Sequence, residues 1–267
     1  MMKRVVWLTD IHLNFLPDTR VNALLEEVSA AWPDRVLISG DIAEAHNLCD
    51  YLERIQAALA APVYFVLGNH DFYYGSICET RERVVRLCQE NPRLHYLTTE
   101  ESYPLSEHVG VVGHDGWADG RLGNYSRSLV KMLDWKLIAE LEPHDRQSRW
   151  EVLKGLADEA AAHLRRVLPL ALSRYPHVVL LTHVPPFLAA CWHEGRISDD
   201  QWSPHFTCHA VGAAILETMD AHPERKLTVL CGHTHGQGET SPRPNIEVLT
   251  GGAEYGAPRI ARVFKFH

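Results

Sequence analysis

The sequence predicts an α/β protein built on a parallel sheet, and three observations predict it. Short runs of Val, Ile and Leu recur, each closed at once by Gly or a polar residue, as buried strands are. Between the early runs lie stretches with apolar residues at i, i+3 and i+4, so strand and helix alternate. Five of the runs end beside side chains that can hold a metal. The carboxyl ends of parallel strands are where such folds gather ligands.

The first run, 5–8, leads into Thr9-Asp10-Ile11-His12. A helix capped by Asp18 follows, with Val21, Leu24, Leu25 and Val28 on one face, ending near Pro33. The run 35–38 reaches Ser39-Gly40-Asp41, and a helix over about 47–60 shows Leu48, Leu52, Ile55 and Leu59 before Pro62. The run 63–67 ends in Gly68-Asn69-His70-Asp71, the turn around which the other motifs are arranged. A third helix, about 77–90, presents Ile77, Val84, Leu87 and Cys88. This β-α-β-α-β-α order implies parallel strands with right-handed crossovers.

The middle is less regular. Residues 94–97 and 109–112 read as strands, and a short helix is expected around 129–141. A long helix begins near Ser148 with Leu153, Leu156, Ala160, Leu164, Val167 and Leu168 in register, and Pro169 should kink or end it. The run 177–181 leads into Thr182-His183; after an irregular loop through Pro204, a helix over about 205–220 carries Val211, Ile215 and Met219. The run 227–230 reaches Gly232-His233-Thr234-His235. A Pro-rich turn (Pro242, Pro244) and strands near 246–250 and 259–264 close the chain, their antiparallel pairing suggesting a second sheet packed on the first. No linker or repeat divides the sequence, so residues 1–267 read as one domain. Segments 114–147 and 184–204 both follow strands at the site edge and are candidate walls or lids.

Bulk properties narrow the class. At 267 residues the chain can bury a core without staples. A net charge of −8 argues against an extended nucleic-acid surface, but not against a small phosphorylated substrate at a local positive centre. Six cysteines without a C-x-x-C pair read as free thiols of a cytoplasmic protein. The apolar run after Lys3-Arg4 is too short for a signal peptide. No stretch approaches the roughly 18 apolar residues that span a bilayer, so no membrane association is expected. Oligomeric state leaves no mark in the sequence.

The polar residues closing the runs form a ligand inventory. In an extended segment residues i and i+2 share a side, about 7 Å apart, so Asp10 and His12 face one neighbourhood, as do His233 and His235. The set is two carboxylates (Asp10, Asp41), one amide oxygen (Asn69) and four imidazoles (His12, His183, His233, His235). That exceeds one mononuclear site with an open position. It suits two divalent ions about 3.5–4 Å apart, bridged by a carboxylate. Mixed N/O ligation without thiolate favours Mn, Fe, Zn or Co. Two cations outweigh the two carboxylates and favour an oxyanion. Water bridging them supplies hydroxide near neutral pH, suited to in-line attack on phosphorus.

His70 adjoins a ligand without being needed as one. It has the profile of a general acid for the leaving alkoxide, typically worth about 10²–10⁴-fold. Asp71 is read as the residue that holds its tautomer, with a turn-stabilising aspartate the alternative. Glu44 reads as a helix-start residue. His114, His193, His205 and His209 read as surface or packing residues, and Arg121 and Arg127 as solvated charges rather than phosphate clamps. Phe72, Tyr73, Tyr74, Trp117, Trp192 and Trp202 read as packing residues, with stacking on a ligand ring the alternative. Cys231 reads as buried in its strand.

With these residues assembled, the chain resembles the calcineurin-like metallophosphoesterase superfamily. The motifs are Asp10-x-His12, Gly40-Asp41-x-x-Glu44, Gly68-Asn69-His70-Asp71, Thr182-His183 and Gly232-His233-x-His235, in the family's order. The resemblance implies a four-layer αββα sandwich of two mixed sheets flanked by helices. It implies one metal held by Asp10, His12, Asp41 and His235, and a second held by Asp41, Asn69, His183 and His233. His70 corresponds to the family's general acid. Ile42-Ala43-Glu44 and Asp71 depart from the protein Ser/Thr phosphatase branch, whereas Gly232-His233-Thr234-His235-Gly236 resembles small bacterial-type phosphodiesterases and phosphatases. The implied activity is hydrolysis of phosphoric esters, with diesters slightly favoured. A phosphomonoesterase is the alternative, a nuclease ranks lower, and a non-catalytic scaffold of the same fold is the reading from a different class.

Overall fold

A computed structural model describes residues 2–267. The first half runs β1 (Lys3–Leu8), α1 (Asp18–Ala30), β2 (Arg35–Ser39), α2 (Leu48–Ala58), β3 (Val63–Val66), α3 (Ile77–Glu90) and β4 (Leu94–Tyr96). Strands β1 to β4 pair in parallel in sequence order. The remaining elements are β5 (Tyr103–Pro104), β6 (Val109–Gly113), α4 (Asp134–Leu137), α5 (Arg146–Arg174), β7 (His177–Leu181), β8 (Trp192–His193) and β9 (Arg196–Ile197). After them come α6 (Ser203–Phe206), α7 (His209–Asp220), β10 (Lys226–Cys231), β11 (Gly238–Arg243), β12 (Ile246–Thr250) and β13 (Arg262–Phe266).

The five apolar runs do not share one sheet. β1, β2 and β3 lie in a five-stranded sheet of order β13-β1-β2-β3-β4, while β7 and β10 lie in a six-stranded sheet of order β11-β12-β10-β7-β6-β5. The last strand departs from expectation as well. β13 returns to the first sheet, antiparallel to β1, instead of helping to build the second.

Period-2 burial makes the four layers. In β1, Val6 and Leu8 face α1 to α3, whereas Val5 and Trp7 face the other sheet. In β7, Val179 and Leu181 face the first sheet, whereas Val178 and Leu180 face α5 and α7. The two sheets therefore share an inner layer that includes Leu37, Tyr64, Val66, Val111, Leu230 and Leu249. Each large aliphatic side chain buried this way contributes about 1.5–3 kcal/mol. The result is an αββα sandwich with a single set of continuous layers.

Side-chain caps mark two helix starts. Ser76 caps α3 by accepting the Glu79 N–H, and Asp145 caps α5 by accepting the Ser148 N–H, contacts worth about 1 kcal/mol each. Asp18 is not a cap; it is the first residue of α1, after Pro17, where its charge faces the helix N-terminus and pairs with Arg54. Pro169 does not end α5. The helix continues because Ala171 and Leu172 beyond it are buried as fully as Leu164 and Val167 before it. The helix expected over 129–141 shrinks to α4, and the one expected over 205–220 divides into α6 and α7. Among the described residues, no helix is long and apolar enough to cross a membrane, and all six cysteines are free.

Candidate metal centre

The carboxyl ends of β1, β2, β3, β7 and β10 meet where the two sheets adjoin. Backbone bonds continue the parallel pairing past the strand ends: the His12 N–H donates to Asp41 O, Leu13 N–H to Ile42 O, and Gly232 N–H to His183 O. Several of the polar residues that follow adopt left-handed backbone, with φ of 48° at Asp10, 40° at His12, 52° at Asp41, 69° at His233 and 58° at His235. Non-glycine residues in this region are strained, and such strain clusters at functional sites. The expectation of extended Asp10-x-His12 and His233-x-His235 segments is thus corrected. Sharp turns, not strand pleat, aim these side chains.

The ligands fall into two groups sharing one carboxylate. Asp10, His12, Asp41 and His235 offer ligand atoms all within 4.8 Å of one another. Asn69, His183 and His233 form the second group, with Asn69 Oδ1 at 3.1 Å from His183 Nε2 and 2.9 Å from His233 Nδ1. Asp41 spans both, its Oδ2 lying 3.7 Å from His12 Nε2 and its Oδ1 3.3 Å from His183 Nε2. His233 and His235 diverge into different groups, contrary to the i, i+2 expectation, whereas Asp10 and His12 stay together.

Hydrogen bonds on the far side of the second group fix which atoms face inward. The ring of His183 donates from Nδ1 to Ser39 O at 2.9 Å, and that of His233 donates from Nε2 to His205 O at 2.9 Å. With both rings neutral, each leaves a nitrogen lone pair pointing at the other, 3.2 Å apart. The Asn69 amide donates from Nδ2 to Asp134 Oδ1 at 2.9 Å, which turns its oxygen toward the same spot. In that neutral state three buried acceptors converge with no donor between them, an environment that a cation satisfies. Glycine makes the approach possible: a Cβ on Gly68 would collide with Asp41 Oδ1, and one on Gly232 with the Asp10 carboxylate.

Without metal, burial lowers His12 and His233 to about 3, keeping both neutral as ligands must be. Burial also opposes charge on His183, but the neighbouring Asp41 charge and hydrogen bond prevail and raise it to about 10. Asp41 falls well below the usual carboxylate range despite its burial, because His183 and His70 face it. Burial raises Asp10. A proton on His183 thus stands where a cation would.

Asp71 does not hold His70. Its carboxylate accepts the Gly68, Ile42 and Ala43 N–H groups at 2.8–2.9 Å, so it braces the turn and ties it to the loop after β2. Burial, then the charge of Asp41, pushes its pKa to about 8. Neighbours in sequence point apart in this tight turn, so adjacency gave the wrong partner. The His70 ring stacks on Tyr73 at 4.2 Å and meets the His12 ring edge-on at 4.6 Å. Its Nδ1 is buried without a partner, and its Nε2 lies 3.5 Å from the Tyr255 hydroxyl.

A cavity of about 240 Å³ opens over the centre, lined by Asp41, Asn69, His70, His233 and His235, with Met132, His193, Trp202, Phe206 and Tyr255 as walls. Segments 114–147 and 184–204 both contribute, through Met132 and through His193 and Trp202. Segment 114–147 also supplies Asp134, and the two are bonded to each other by Asn124 N–H to Asp200 O. His114 lies elsewhere, buried near His163, and the His205 side chain bonds Ser128 while only its carbonyl serves the site. His209 is exposed at the start of α7. Trp117 packs on Phe72 in the core, Trp192 lies under Gly238, and Cys231 is fully buried. Arg121 pairs with Asp119 and Asp158, away from the cavity, and Arg127 does not line it. Glu44 sits in the turn before α2, within 3.8 Å of His46.

Asp134 and Tyr255 are the site residues that sequence reading missed. Tyr255 occupies an irregular stretch, and Asp134 opens the four-residue α4, too short for periodicity to mark an inward side chain. The only signal for Asp134 was an acid among apolar neighbours in the segment already noted as a wall.

The same fold recurs in solved structures. A phosphopantetheinyl hydrolase of Mycobacterium tuberculosis is similar with a TM-score of 0.67 and 16% identity, over 94% of this chain and 89% of that one. A dimetal phosphatase of Danio rerio is similar with a TM-score of 0.59 and 17% identity, over 96% and 89%. A protein of Thermus thermophilus is similar with a TM-score of 0.56 and 15% identity, over 94% and 90%. A comparison with curated protein sequences finds no match. The model of the calcineurin-like phosphoesterase family matches residues 3–237, which takes in every motif of the two ligand groups. With both groups assembled around Asp41 and that match spanning most of its length, the chain belongs to the calcineurin-like phosphoesterase family.

Proposed function

We propose that this protein hydrolyses small phosphoric esters at a two-metal centre, with diesters preferred. The reading is carried by Asp41, whose two oxygens face the two ligand groups at 3.7 and 3.3 Å. Asp10, His12 and His235 complete one group; Asn69, His183 and His233 complete the other. Two divalent ions held there supply an activated water and a positive clamp for phosphoryl oxygens. Mixed N/O ligation without thiolate supports Mn, Fe, Zn or Co.

The remaining chemistry falls to this chain's own residues. His70 presents Nε2 to the cavity, where it donates a proton to the leaving oxygen. Tyr73 and His12 hold that ring by stacking and edge contact. Tyr255 is kept protonated, its hydroxyl pKa raised by burial and by the charges of Asp41 and Asp10, so it can donate to an ester oxygen. Diester preference rests on the lining of the cavity, which among the described residues includes no Lys or Arg. A monoester dianion concentrates its charge on three oxygens and is served by such side chains, whereas a diester carries one charge. Two organic arms also suit the aromatic and apolar walls. The small cavity supports a small phosphorylated substrate over a polynucleotide, and six free cysteines support a cytoplasmic location.

The test is a Mn²⁺-supplemented panel of mono-, di- and cyclic phosphate esters. Diester turnover above monoester turnover is expected. Faster monoester turnover would reverse the preference, and no turnover of any ester with metal bound would leave a scaffold of the same fold.

A further inference from the structure

We propose that a groove beside His70 is the subsite for the leaving alcohol, and that this alcohol is an uncharged group with an extended apolar part. The inference rests on the hydrolase reading above and names its substrate class. The groove has a volume of about 630 Å³ and shares His70, Tyr73 and Tyr255 with the catalytic cavity. Its walls are Phe15, Tyr74, Leu133, Leu137 and Tyr255.

Exposure singles this groove out. Phe15 is 50% exposed, Tyr74 65%, Leu133 58% and Tyr255 52%, and all four belong to this one wall. They come from four separate places in the chain: the loop after β1, the turn after β3, the start of α4 and the loop before β13. Isolated exposed apolar residues are ordinary, but a contiguous set around a cleft marks a binding surface.

Position says what the groove binds. A general acid stands next to the oxygen that departs, so the alcohol leaves on the His70 side of the phosphorus. That is the side on which the groove opens. In the reaction a water gives up one proton to solvent and bonds to phosphorus, the bond to the alcohol oxygen breaks, and that oxygen takes a proton from His70, which solvent then replaces. The alcohol enters the groove as product. Among the described residues the one carboxylate on the wall is Glu44, whose Oε2 lies 3.8 Å from His46 Nδ1, and no Lys or Arg lines it. A leaving group bearing a second phosphate would meet that carboxylate and no Lys or Arg. An alkyl or alkyl-aryl group instead covers side chains that water now touches.

The test uses methyl 4-alkylphenyl phosphates, from unsubstituted phenyl to 4-hexylphenyl. The alkyl group lengthens the apolar part with little change in the acidity of the phenol. For the metal-loaded protein kcat/KM should rise about two- to fourfold per methylene over the first few carbons, since burying one is worth up to about fourfold. Leu133→Asp should collapse the ratio between hexylphenyl and phenyl esters toward one. Leu170→Asp, on an exposed leucine of α5, should leave that ratio unchanged. The free 4-alkylphenols, titrated calorimetrically without turnover, should bind more tightly as the chain grows, and Leu133→Asp should abolish the trend.

Turnover with a flat chain-length series, or a slope that Leu133→Asp leaves intact, would overturn the subsite alone. Phenol binding that tightens with length while no ester is cleaved would overturn the hydrolase reading and the leaving-group role with it. The two failures are distinguishable.

Discussion

The two ligand groups are built from similar residues but held in different ways. In the Asn69–His183–His233 group every ligand is tied from behind, to Asp134, to Ser39 O and to His205 O. In the Asp10–His12–His235 group, His12 Nδ1 is buried with no partner, and the rings lean on aromatic neighbours. His12 packs at 4.6 Å from Tyr255 and 5.9 Å from Phe15, and His235 at 4.9 Å from Tyr255. Hydrogen bonds fix tautomer and direction, whereas ring packing fixes neither as tightly. The contrast predicts one tight and one weaker metal site, with the tight one around Asn69.

The largest effect should come from Asp41→Asn, because that carboxylate belongs to both groups. Losing it should lower kcat/KM by about a thousandfold or more, on the scale of several kcal/mol that such centres supply. Bound metal, counted by elemental analysis, should fall below two per chain. Full occupancy with full activity would mean that the groups share no ligand. His70→Gln should come next, slowing alkyl esters by about a hundredfold or more while sparing nitrophenyl esters, whose leaving group needs no proton. Equal slowing of both ester types would remove the proton-donor role from His70.

Asp134→Ala sharpens the comparison directly. It frees the Asn69 amide to rotate, and loss of such a supporting contact typically costs about 10–100-fold in metal affinity. The loss should fall on the tighter of two sites resolved by calorimetric titration and leave the weaker one in place. Equal weakening of both would show that the two groups respond as one unit.

Much of this arrangement was legible in the sequence, and the rest was hidden for identifiable reasons. An apolar run stopped abruptly by Asp41 or His183 is visible because strand and ligand are adjacent in number. The division of those runs between two sheets was not visible. Strands such as β3 and β7 are apolar on both faces, so nothing in their pattern says which sheet claims them. Asp71 was assigned to His70 on adjacency, but a buried carboxylate goes where the most N–H groups converge, which is the turn itself. Tyr255 reaches the centre from an irregular loop and Asp134 from the first residue of a one-turn helix, and only the packed chain brings them there. Pro169 misled because its local cost is outweighed by burial of the helix on both sides.

Thr9→Val is the finest probe of the contrast and should have the smallest effect. Its hydroxyl donates to Asp10 Oδ2 at 2.6 Å and is the side-chain tie that the looser group does possess. The replacement keeps the branched shape, so the buried position after β1 stays filled. Asp10 retains its other restraint, the His233 N–H on Oδ1 at 2.9 Å. Losing one hydrogen bond of about 0.5–1.5 kcal/mol corresponds to roughly two- to twelvefold in affinity. That loss should appear at the weaker site only. If the tighter site weakened instead, Asp10 would be acting through the His233 backbone on the Asn69 group, and the boundary between tight and loose ligands would run through different residues.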